Sequence, residues 1–375
     1  MISCPELSEI FMKNELKFFT GVPDSTFKDW MRFLAANPEG NLVNRVACNE
    51  CEAIALASGY HFSTGKVGVV YMQNAGLGKT INPLTSLASK EVYSVPMILM
   101  IGWRGEPGKK DEPQHKMMGR IMMLQLDILE IPYKILPDNI DEAEKIIEWA
   151  KQIAEQNKYV AAIIIKKGMF KEYEFPEKRG IEYELSREEA IKTIVDNISE
   201  QAIVISTTGK TSRELFEYRE EKKEKHERDF LTVGSMGCSS SISLEIALQK
   251  PDKSIYLFDG DGASLMQLGS LATIGHNNPE NLTHIIFDNN SYDSTGGQPT
   301  ISETVNFTKI AEACGYNCFV EVKRKQDLIV VLNETKQKGP KMIVVKVKKG
   351  ARKDLMRPTS TPIENKDSFM KFLKK

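Results

Sequence analysis

The sequence lacks several features that would place a chain of 375 residues in other functional classes. Its 50 basic and 51 acidic residues leave a net charge of -1, so nothing predicts a nucleic-acid or membrane-surface partner. The apolar run SVPMILMIGW is far too short to span a bilayer and reads as a buried strand. The N-terminus lacks the basic head and apolar run of a secretory signal. We therefore expect a cytoplasmic protein with no membrane partner and no nucleic-acid partner.

Cysteine is also scarce, since the chain has six at irregular spacing, and this excludes a disulfide scaffold. Cys48 and Cys51 form a CxxC, and Cys314 and Cys318 form a CxxxC. Neither pair has a histidine at a spacing typical of zinc ligands. The favoured interpretation is that these cysteines act as small hydrophobic side chains. A redox pair at Cys48 and Cys51 stays open because it flanks Glu50, a candidate functional residue.

Apolar runs rich in Val and Ile alternate with amphipathic stretches of helix length along nearly the whole chain. This alternation is typical of parallel strands covered by helices on both faces. The pattern stops in a charged segment that contains Pro176 and Gly180, and it restarts after Glu184. We therefore predict an α/β chain with two doubly wound parallel-sheet domains, at 1–170 and 185–350. A linker at 171–184 joins them, and a tail follows at 351–375.

One segment at a predicted strand end carries the strongest functional signal, because ligands of such sheets bind outside the carboxyl ends of the strands. In IYLFDGDGASLM, we expect the strand to end at Phe258, Gly260 to Gly262 to form a tight turn, and a helix to start near Ser264. Glycines let backbone N–H groups approach an anion. Asp261, and Asn289 after the next strand, offer hard oxygen ligands for a cation. The spacing predicts a diphosphate and metal site.

This pairing of GDG with a later Asn resembles the cofactor motif of the thiamine-diphosphate-dependent decarboxylases and synthases. The resemblance implies two domains of the thiamine-diphosphate-binding type, and Mg²⁺ held by Asp261, Asn289 and the Ser291 carbonyl. The family's paired Asn becomes Asp288-Asn289 here, because Tyr292 then takes the place of the family's aromatic residue. Asn290 is the alternative ligand. Implied cofactor contacts come from Gly260, Asp261, Gly262, Ala263, Asn289 and Tyr292.

Two further segments resemble the same family. NECEAIALASGY is similar to the pyrimidine-binding segment, which implies that Glu50 hydrogen-bonds the cofactor's pyrimidine ring and makes its amino group basic. Taken alone, an acid at a helix start is more often a compensator of the helix dipole. GSMG is similar to the element that bends the cofactor, with Met236 as an apolar wedge and the Gly234 carbonyl as an acceptor. Thr207 and Thr208 are candidates to donate to the diphosphate.

The chain leaves no room for a third domain between the halves, and it looks like the short phosphonopyruvate and sulfopyruvate decarboxylases. That resemblance implies decarboxylation of 3-phosphonopyruvate to 2-phosphonoacetaldehyde and CO₂, in phosphonate biosynthesis of the 2-aminoethylphosphonate type. It also implies a homodimer or higher homo-oligomer with active sites at the subunit interface. Sulfopyruvate, or another 2-oxo acid, is the alternative substrate. Sulfopyruvate decarboxylases usually divide the halves between two chains, which favours phosphonopyruvate.

Basic residues cluster in the loop GWRGEPGKK, after a predicted strand of an otherwise neutral chain. Guanidinium and ammonium groups suit an anionic phosphonate, although the loop's own acids could balance them in solvent. His115 and Asp24 are the candidates for proton transfer, and His115 could return a proton after CO₂ leaves. The candidate substrate ligands are Ser25, Arg104, Lys109, Lys110 and Lys210.

Gly78-Lys79-Thr80 carries a competing motif, because it reads GKT as P-loop NTPases do. That loop needs a glycine five positions before Gly78, where this chain has Gln73. Pro83 follows too soon for the usual helix. We therefore expect no ATPase activity.

Overall fold

Two six-stranded parallel sheets organise the computed structural model, which describes residues 1–36, 40–174, 183–334 and 337–374. The chain divides into two units. The first is Met1–Lys178 with Thr295–Gln298, and the second is Arg179–Ser294 with Pro299–Lys375. Of the predicted linker at 171–184, residues 175–182 lie outside the described residues. Within the described ranges, no helix is both long and apolar enough to cross a membrane.

The sheet of the first unit has the strand order β2-β1-β3-β4-β6-β5, with every pair parallel. Short 3₁₀ turns at Ser25–Phe27 and Asn74–Gly76 and a π turn at Leu84–Ala88 interrupt the helices. The elements are α1 (Cys4–Lys13), β1 (Phe18–Gly21), α2 (Lys28–Ala36), β2 (Val43–Val46), α3 (Glu50–Thr64), β3 (Gly68–Gln73), α4 (Leu77–Pro83), β4 (Met97–Gly102), α5 (Pro113–Ile128), β5 (Tyr133–Ile135), α6 (Ile140–Asn157) and β6 (Val160–Ile165).

Both faces of this first sheet are buried, which explains its continuous apolar strands. Along β3, Val69 and Tyr71 join a core with residues of α1, α2 and α6, whereas Val70 and Met72 join a core with residues of α3 and α5. Successive side chains of a strand point to opposite faces, so a strand between two helical layers has no polar side.

The sheet of the second unit has the order β13-β14-β10-β9-β7-β8, again with parallel pairs. A 3₁₀ turn lies at Ile301–Thr304. The elements after β6 are α7 (Arg187–Asn197), β7 (Ile203–Ser206), α8 (Lys210–Glu221), β8 (Asp229–Leu231), α9 (Ser239–Gln249), β9 (Ile255–Gly260), α10 (Asp261–Met266), α11 (Gly269–Asn277), β10 (Leu282–Asp288), β11 (Ser291–Tyr292), β12 (Gln298–Pro299), α12 (Phe307–Ala313), β13 (Cys318–Val322), α13 (Lys325–Glu334), β14 (Lys341–Lys346) and α14 (Pro362–Leu373).

The last helix, α14, packs against the edge strand β8. Asn365 accepts a hydrogen bond from the Leu231 N–H and donates one to the Asp229 carbonyl, at 3.1 and 2.9 Å. Phe369 is buried and lies 5.5 Å from Phe230, measured between ring centroids. The tail therefore covers a strand edge that would otherwise be open.

The predicted fold class, two doubly wound parallel sheets, is confirmed. The predicted turn at Gly260 to Gly262 is wrong, because β9 runs to Gly260 and α10 begins at Asp261. Gly260 has extended backbone angles, so the chain passes from strand to helix without a separate turn. The short strands β5 and β8 were not predicted, since three residues are too few to show a period.

Candidate functional site

Four loops at the carboxyl ends of β7, β8, β9 and β10 pack together in the second unit. Thr208, after β7, accepts a hydrogen bond from the Gly234 N–H at 3.0 Å. Gly262 at the start of α10 has no room for a side chain, because a Cβ atom there would lie 2.8 Å from the Tyr292 ring. The predicted cofactor residues of the second half therefore lie at one edge of one sheet.

Asp261 lies in a buried group of acidic and hydroxyl side chains. Its Oδ2 accepts hydrogen bonds from Thr300 Oγ1 at 2.5 Å and Ser302 Oγ at 2.9 Å. Ser302 Oγ is also 2.9 Å from Asp288 Oδ1, and one hydroxyl proton cannot serve both carboxylates at once. Burial, and next the charge of Asp288, raise the pKa of Asp261 to about 7. A divalent cation at this carboxylate would remove that penalty, so the donor set fits one.

Only part of this acidic charge is balanced by the protein. Lys346 Nζ lies 2.5 Å from Asp288 Oδ2, and both side chains are buried or nearly so. In the described part of the chain, no three or more His, Cys, Asp or Glu side chains are arranged to hold a metal. A cation at Asp261 would therefore depend on amide and carbonyl oxygens as well, which is the set that the sequence predicted.

The two asparagines that follow Asp288 have different partners. Asn289 Oδ1 accepts from the Ser291 N–H at 3.0 Å, and its Nδ2 donates to Asp293 Oδ2 at 2.8 Å. Asn290 Nδ2 donates to Ser302 Oγ at 2.7 Å. Each amide oxygen keeps a lone pair for a cation, so Asn289 as ligand stays a prediction with Asn290 as its alternative.

Two hydroxyl groups near these loops are buried without a hydrogen-bond partner among the described residues, namely Thr207 Oγ1 and Ser291 Oγ. A buried hydroxyl without a partner is costly, and an anionic ligand would satisfy a donor at Thr207. Lys210 is half-buried at the first position of α8, next to Gly209 with φ of 101°. The site thus has a donor where the sequence predicted contact with the diphosphate.

Met236 lies in a loop that only unusual backbone angles allow. Gly234, Ser235 and Gly237 have φ values of 70°, 45° and 85°, in the left-handed region that glycine tolerates best. The Met236 methyl carbon would be 3.4 Å from a Cβ atom at Gly262, and the side chain is half-buried. The structure therefore places this apolar side chain beside the GDG segment, as expected of a wedge.

In the first unit, Glu50 is the first residue of α3 and is 6% exposed. Its Oε2 has no hydrogen-bond partner in the described structure, and the nearest cation, Lys79 Nζ, lies 3.6 Å away. A Cβ atom at Gly76 would come within 2.5 Å of the Glu50 side chain. Lys79 lies inside α4, so the GKT segment is helical and forms no phosphate-binding loop.

A second polar cluster of the first unit lies at the carboxyl ends of β1, β3 and β4. Asp24 is fully buried and accepts from Gln73 Nε2 at 2.7 Å and from the Thr26 N–H at 2.9 Å. Arg104 Nη1 donates to Ser25 Oγ at 2.9 Å. The structure therefore brings three predicted residues, Asp24, Ser25 and Arg104, together.

The charge of Arg104 is already compensated. Its Nε and Nη2 donate to the two carboxylate oxygens of Asp111 at 2.8 and 2.5 Å, and this pair holds the pKa of Asp111 well below its usual range even though burial opposes it. Lys109 and Lys110 are exposed and form no ion pair with another described residue. In the basic loop, Arg104 is thus held in an ion pair, and the two lysines are solvated. This agrees with the alternative interpretation of the sequence, in which the loop's own acids balance its charge in solvent.

His115 is buried near the start of α5, and its Nδ1 has no hydrogen-bond partner in the described ranges. Burial first, and then the charge of Arg104, lower the pKa of His115, while Asp111, Asp24 and Glu112 partly oppose this effect. The imidazole is therefore neutral near pH 7. A negatively charged ligand beside it would raise the pKa again.

Several residues of these two clusters were missed by the sequence reasoning. Gln73 and Asp111 orient Asp24 and Arg104, and Thr300 and Ser302 bind Asp261. Asn74 donates to the Arg104 carbonyl at 2.7 Å. Gln73 ends β3 and Asn74 follows it, so their place at a strand end was the available signal, whereas nothing in the local sequence marks Thr300 or Ser302.

The cysteine pair beside Glu50 does not resemble a reactive dithiol. Burial, with Glu52 adding to it, raises the pKa of Cys48 to about 11, which disfavours the thiolate needed for redox exchange. Cys51 is exposed, and both are free thiols. The non-redox interpretation of these cysteines is the one that the structure favours.

Comparisons with known proteins match both halves of the chain. Residues 7–127 match the N-terminal TPP binding domain of thiamine pyrophosphate enzymes, and 207–347 match the C-terminal one. The chain is 32% identical to a phosphonopyruvate decarboxylase of Streptomyces viridochromogenes, over 94% of this chain and 90% of the relative. It is 34% identical to that of Streptomyces hygroscopicus, over 86% and 82%. It is 26% identical to a sulfopyruvate decarboxylase of Methanosarcina acetivorans, over 88% and 86%.

Proposed function

This chain belongs to the thiamine pyrophosphate enzymes and is a decarboxylase, a carbon–carbon lyase, and we propose that it converts 3-phosphonopyruvate to 2-phosphonoacetaldehyde and CO₂. The observation that carries this choice of substrate is its 32–34% identity to two phosphonopyruvate decarboxylases over more than four-fifths of each chain. An aldehyde that keeps its carbon–phosphorus bond suits phosphonate biosynthesis of the 2-aminoethylphosphonate type, and we propose that role.

We propose Mg²⁺ as the metal, held by Asp261, Asn289 and the Ser291 carbonyl. The raised pKa of the buried Asp261 carboxyl supports a cation there. Hard oxygen donors with few protein carboxylates suit Mg²⁺, which also takes oxygens from phosphate groups. Thr207 and Thr208 would donate to the diphosphate, and Gly260, Gly262, Ala263 and Tyr292 would line its place.

Bound thiamine diphosphate supplies the electron sink for loss of CO₂. Glu50 would hydrogen-bond the pyrimidine ring, and its buried oxygen without a hydrogen-bond partner supports that role. Met236 would pack against the cofactor as an apolar wedge, and the Gly234 carbonyl would accept a hydrogen bond from its amino group. The ion pair with Lys79 at 3.6 Å is loose enough to leave the Glu50 carboxylate available.

Ser25 and Arg104, which lie beside Asp24, would bind the substrate's anionic end. Arg104, already oriented by Asp111 and Ser25, presents a rigid guanidinium to a phosphonate. Lys109 and Lys110 are exposed and can approach from solvent, and Lys210 is a further candidate. His115 or Asp24 would handle the proton that replaces CO₂, and the negative charge of the substrate would raise the lowered pKa of His115 toward neutrality.

Sulfopyruvate is the second candidate substrate, and one observation favours it. The relative from Methanosarcina acetivorans is named a sulfopyruvate decarboxylase, yet it aligns over 86% of its length with both halves of this chain. Fused halves therefore do not by themselves exclude sulfopyruvate. What supports phosphonopyruvate is the identity of 32–34% over most of the chain, compared with 26% for this relative.

A steady-state assay separates the candidates. Purified protein with Mg²⁺ and thiamine diphosphate is offered phosphonopyruvate, sulfopyruvate and pyruvate, and CO₂ release is measured. We expect the highest kcat/KM for phosphonopyruvate. Equal or better turnover of sulfopyruvate would contradict the proposed substrate without touching the proposed cofactor chemistry.

Variants of the two arginines near the loop test the anion site. Arg104→Met should lower kcat/KM for phosphonopyruvate far more than for pyruvate, because only the first carries the extra anionic group. Arg120→Met, which removes an exposed guanidinium of α5, is the matched control and should leave that ratio unchanged. If Arg104→Met lowered kcat/KM equally for both substrates, Arg104 would act on the fold and not on specificity.

A further inference from the structure

A buried network behind Asn289 ties the predicted metal site to the first two helices of the second unit. Asp293 Oδ2 accepts from Asn289 Nδ2 at 2.8 Å and from Arg187 Nη1 at 3.3 Å. Arg187 also forms two hydrogen bonds with the Glu214 carboxylate, at 2.7 and 2.8 Å. The side chains of Arg187, Glu214 and Asp293 are 8%, 1% and 8% exposed. The Gly350 N–H donates to both Asp293 oxygens at 3.1 and 3.2 Å.

The chemistry of an amide makes this contact directional. An amide side chain has a donor end and an acceptor end, whereas a carboxylate only accepts. With Asp293 on one side of it, Asn289 must turn Nδ2 toward the carboxylate and Oδ1 away from it. Oδ1 then accepts from the Ser291 N–H and keeps a second lone pair. If the amide turned over, it would present N–H groups where a cation requires an oxygen.

We propose that Asp293 is a positioning residue that sets the orientation of the Asn289 amide toward Mg²⁺, and that Arg187 and Glu214 hold Asp293 in place. The inference rests on the proposed metal site. Groups behind metal ligands commonly fix the orientation of those ligands, and their loss typically lowers metal affinity by about 10- to 100-fold. The network suits this purpose because its members are anchored on helices: Arg187 lies on α7 and Glu214 on α8, and both are buried.

The charge of the network supports the same role. One guanidinium faces two carboxylates, and its two shorter hydrogen bonds go to Glu214. Asp293 is therefore only partly neutralised within the protein. A residual negative charge one hydrogen bond behind a metal ligand favours a cation and disfavours an anion at the same place.

The test measures how much Mg²⁺ the protein needs to bind thiamine diphosphate. The cofactor is titrated calorimetrically at increasing Mg²⁺ into the wild-type protein and into Asp293→Asn, which keeps the size but removes the charge and offers a donor to Asn289. We expect the half-saturating Mg²⁺ concentration to rise by about 10- to 100-fold in Asp293→Asn. Turnover should recover at high Mg²⁺, since the change is in metal affinity.

Asp229→Asn is the matched control. Asp229 is also a buried carboxylate that pairs with a buried arginine, Arg219, at 2.9 Å, but it lies at the other end of a strand from the metal site. We expect it to lower the thermal midpoint and leave the Mg²⁺ requirement unchanged. If Asp293→Asn folds poorly, Glu214→Gln, which loosens Arg187, should shift the Mg²⁺ requirement in the same direction by a smaller factor.

The outcomes separate this inference from the proposed function. An unchanged Mg²⁺ requirement in Asp293→Asn overturns the positioning role alone and favours Asn290 as the ligand. An equal change in Asp229→Asn also overturns that role, because it shows a general effect on the fold. If the wild-type protein binds thiamine diphosphate equally well without a divalent cation, the proposed metal site fails, and the role of Asp293 fails with it.

Discussion

At the scale of single residues, His115 shows how a neighbour sets what an imidazole can do. It is buried, and Arg104 lies close enough to oppose its protonation. A neutral imidazole can accept a hydrogen bond or take up a proton, but it donates a proton poorly. Its proposed part in protonation therefore depends on the arrival of a negatively charged substrate.

The lowered pKa of His115 predicts a definite dependence of stability on pH. The unfolded chain binds this proton more readily than the folded chain, so the contribution of the neutral imidazole is complete above the ordinary histidine pKa and is lost as pH falls toward the lower folded value. We compare the free energy of unfolding of the wild-type protein with that of His115→Asn between about pH 8 and pH 5. The difference, wild type minus variant, should decrease as pH falls. A difference that is constant or that grows would contradict the lowered pKa.

What the sequence revealed at this scale was the chemistry carried by short motifs. Asp261, Glu50 and Met236 stand in segments whose residue types follow from cofactor chemistry, so they could be named from the sequence. Their partners could not. Ser302 contacts Asp261 only because the chain returns to the start of α10 after about forty residues, and local spacing does not encode such a contact.

At the scale of elements, the approach of α4 to α3 positions Glu50. The 3₁₀ turn Asn74–Gly76 brings a glycine against the Glu50 side chain, where no Cβ atom fits. Gly78, two residues later in α4, has open space around its Cα. Two glycines only two positions apart thus have different structural requirements.

This difference gives a matched pair of variants. Gly76→Ala places a methyl group 2.5 Å from the Glu50 side chain and must displace the carboxylate. Misplacing a functional group by about an ångström can cost roughly 100-fold in rate, and we expect a loss of that order in kcat/KM. Gly78→Ala should be close to wild type in rate, and circular dichroism should show both variants folded. Equal effects of the two substitutions would mean that the position of Glu50 does not depend on this contact.

The elements themselves were largely predictable, because buried parallel strands leave continuous apolar runs. The exceptions have physical causes. The strands β5 and β8 have three residues each, and β5 is mostly exposed, so they carry no clear pattern. The start of α10 at Asp261 was missed because GDG is typical of a turn. The local sequence does not show whether such a glycine forms a turn or ends a strand directly before a helix.

At the scale of the whole molecule, the likeness to thiamine pyrophosphate enzymes covers both units, but each unit carries only part of the predicted site. Glu50 belongs to the first unit, and Asp261 and Asn289 belong to the second. The proposed homo-oligomer, with active sites at the subunit interface, would complete each site with residues of two copies. The order of the two domains along the chain was evident from the sequence. Which copy supplies Glu50 to a given site, and which supplies Asp261, depends on the assembly.

Mixing two inactive variants tests this proposal directly. Glu50→Gln removes the carboxylate for the pyrimidine ring, and Asp261→Asn removes the metal ligand, so each variant alone should be inactive. If a site takes Glu50 from one copy and Asp261 from the other, a mixed dimer has one site with both residues intact. Random pairing after co-expression then gives about a quarter of the wild-type number of sites. The co-expressed mixture, purified without selection for mixed dimers and assayed for CO₂ release, should recover activity near that fraction, and different tags on the two variants show that mixed dimers form. No recovery in a mixed dimer that is shown to form would place both residues of each site in one chain.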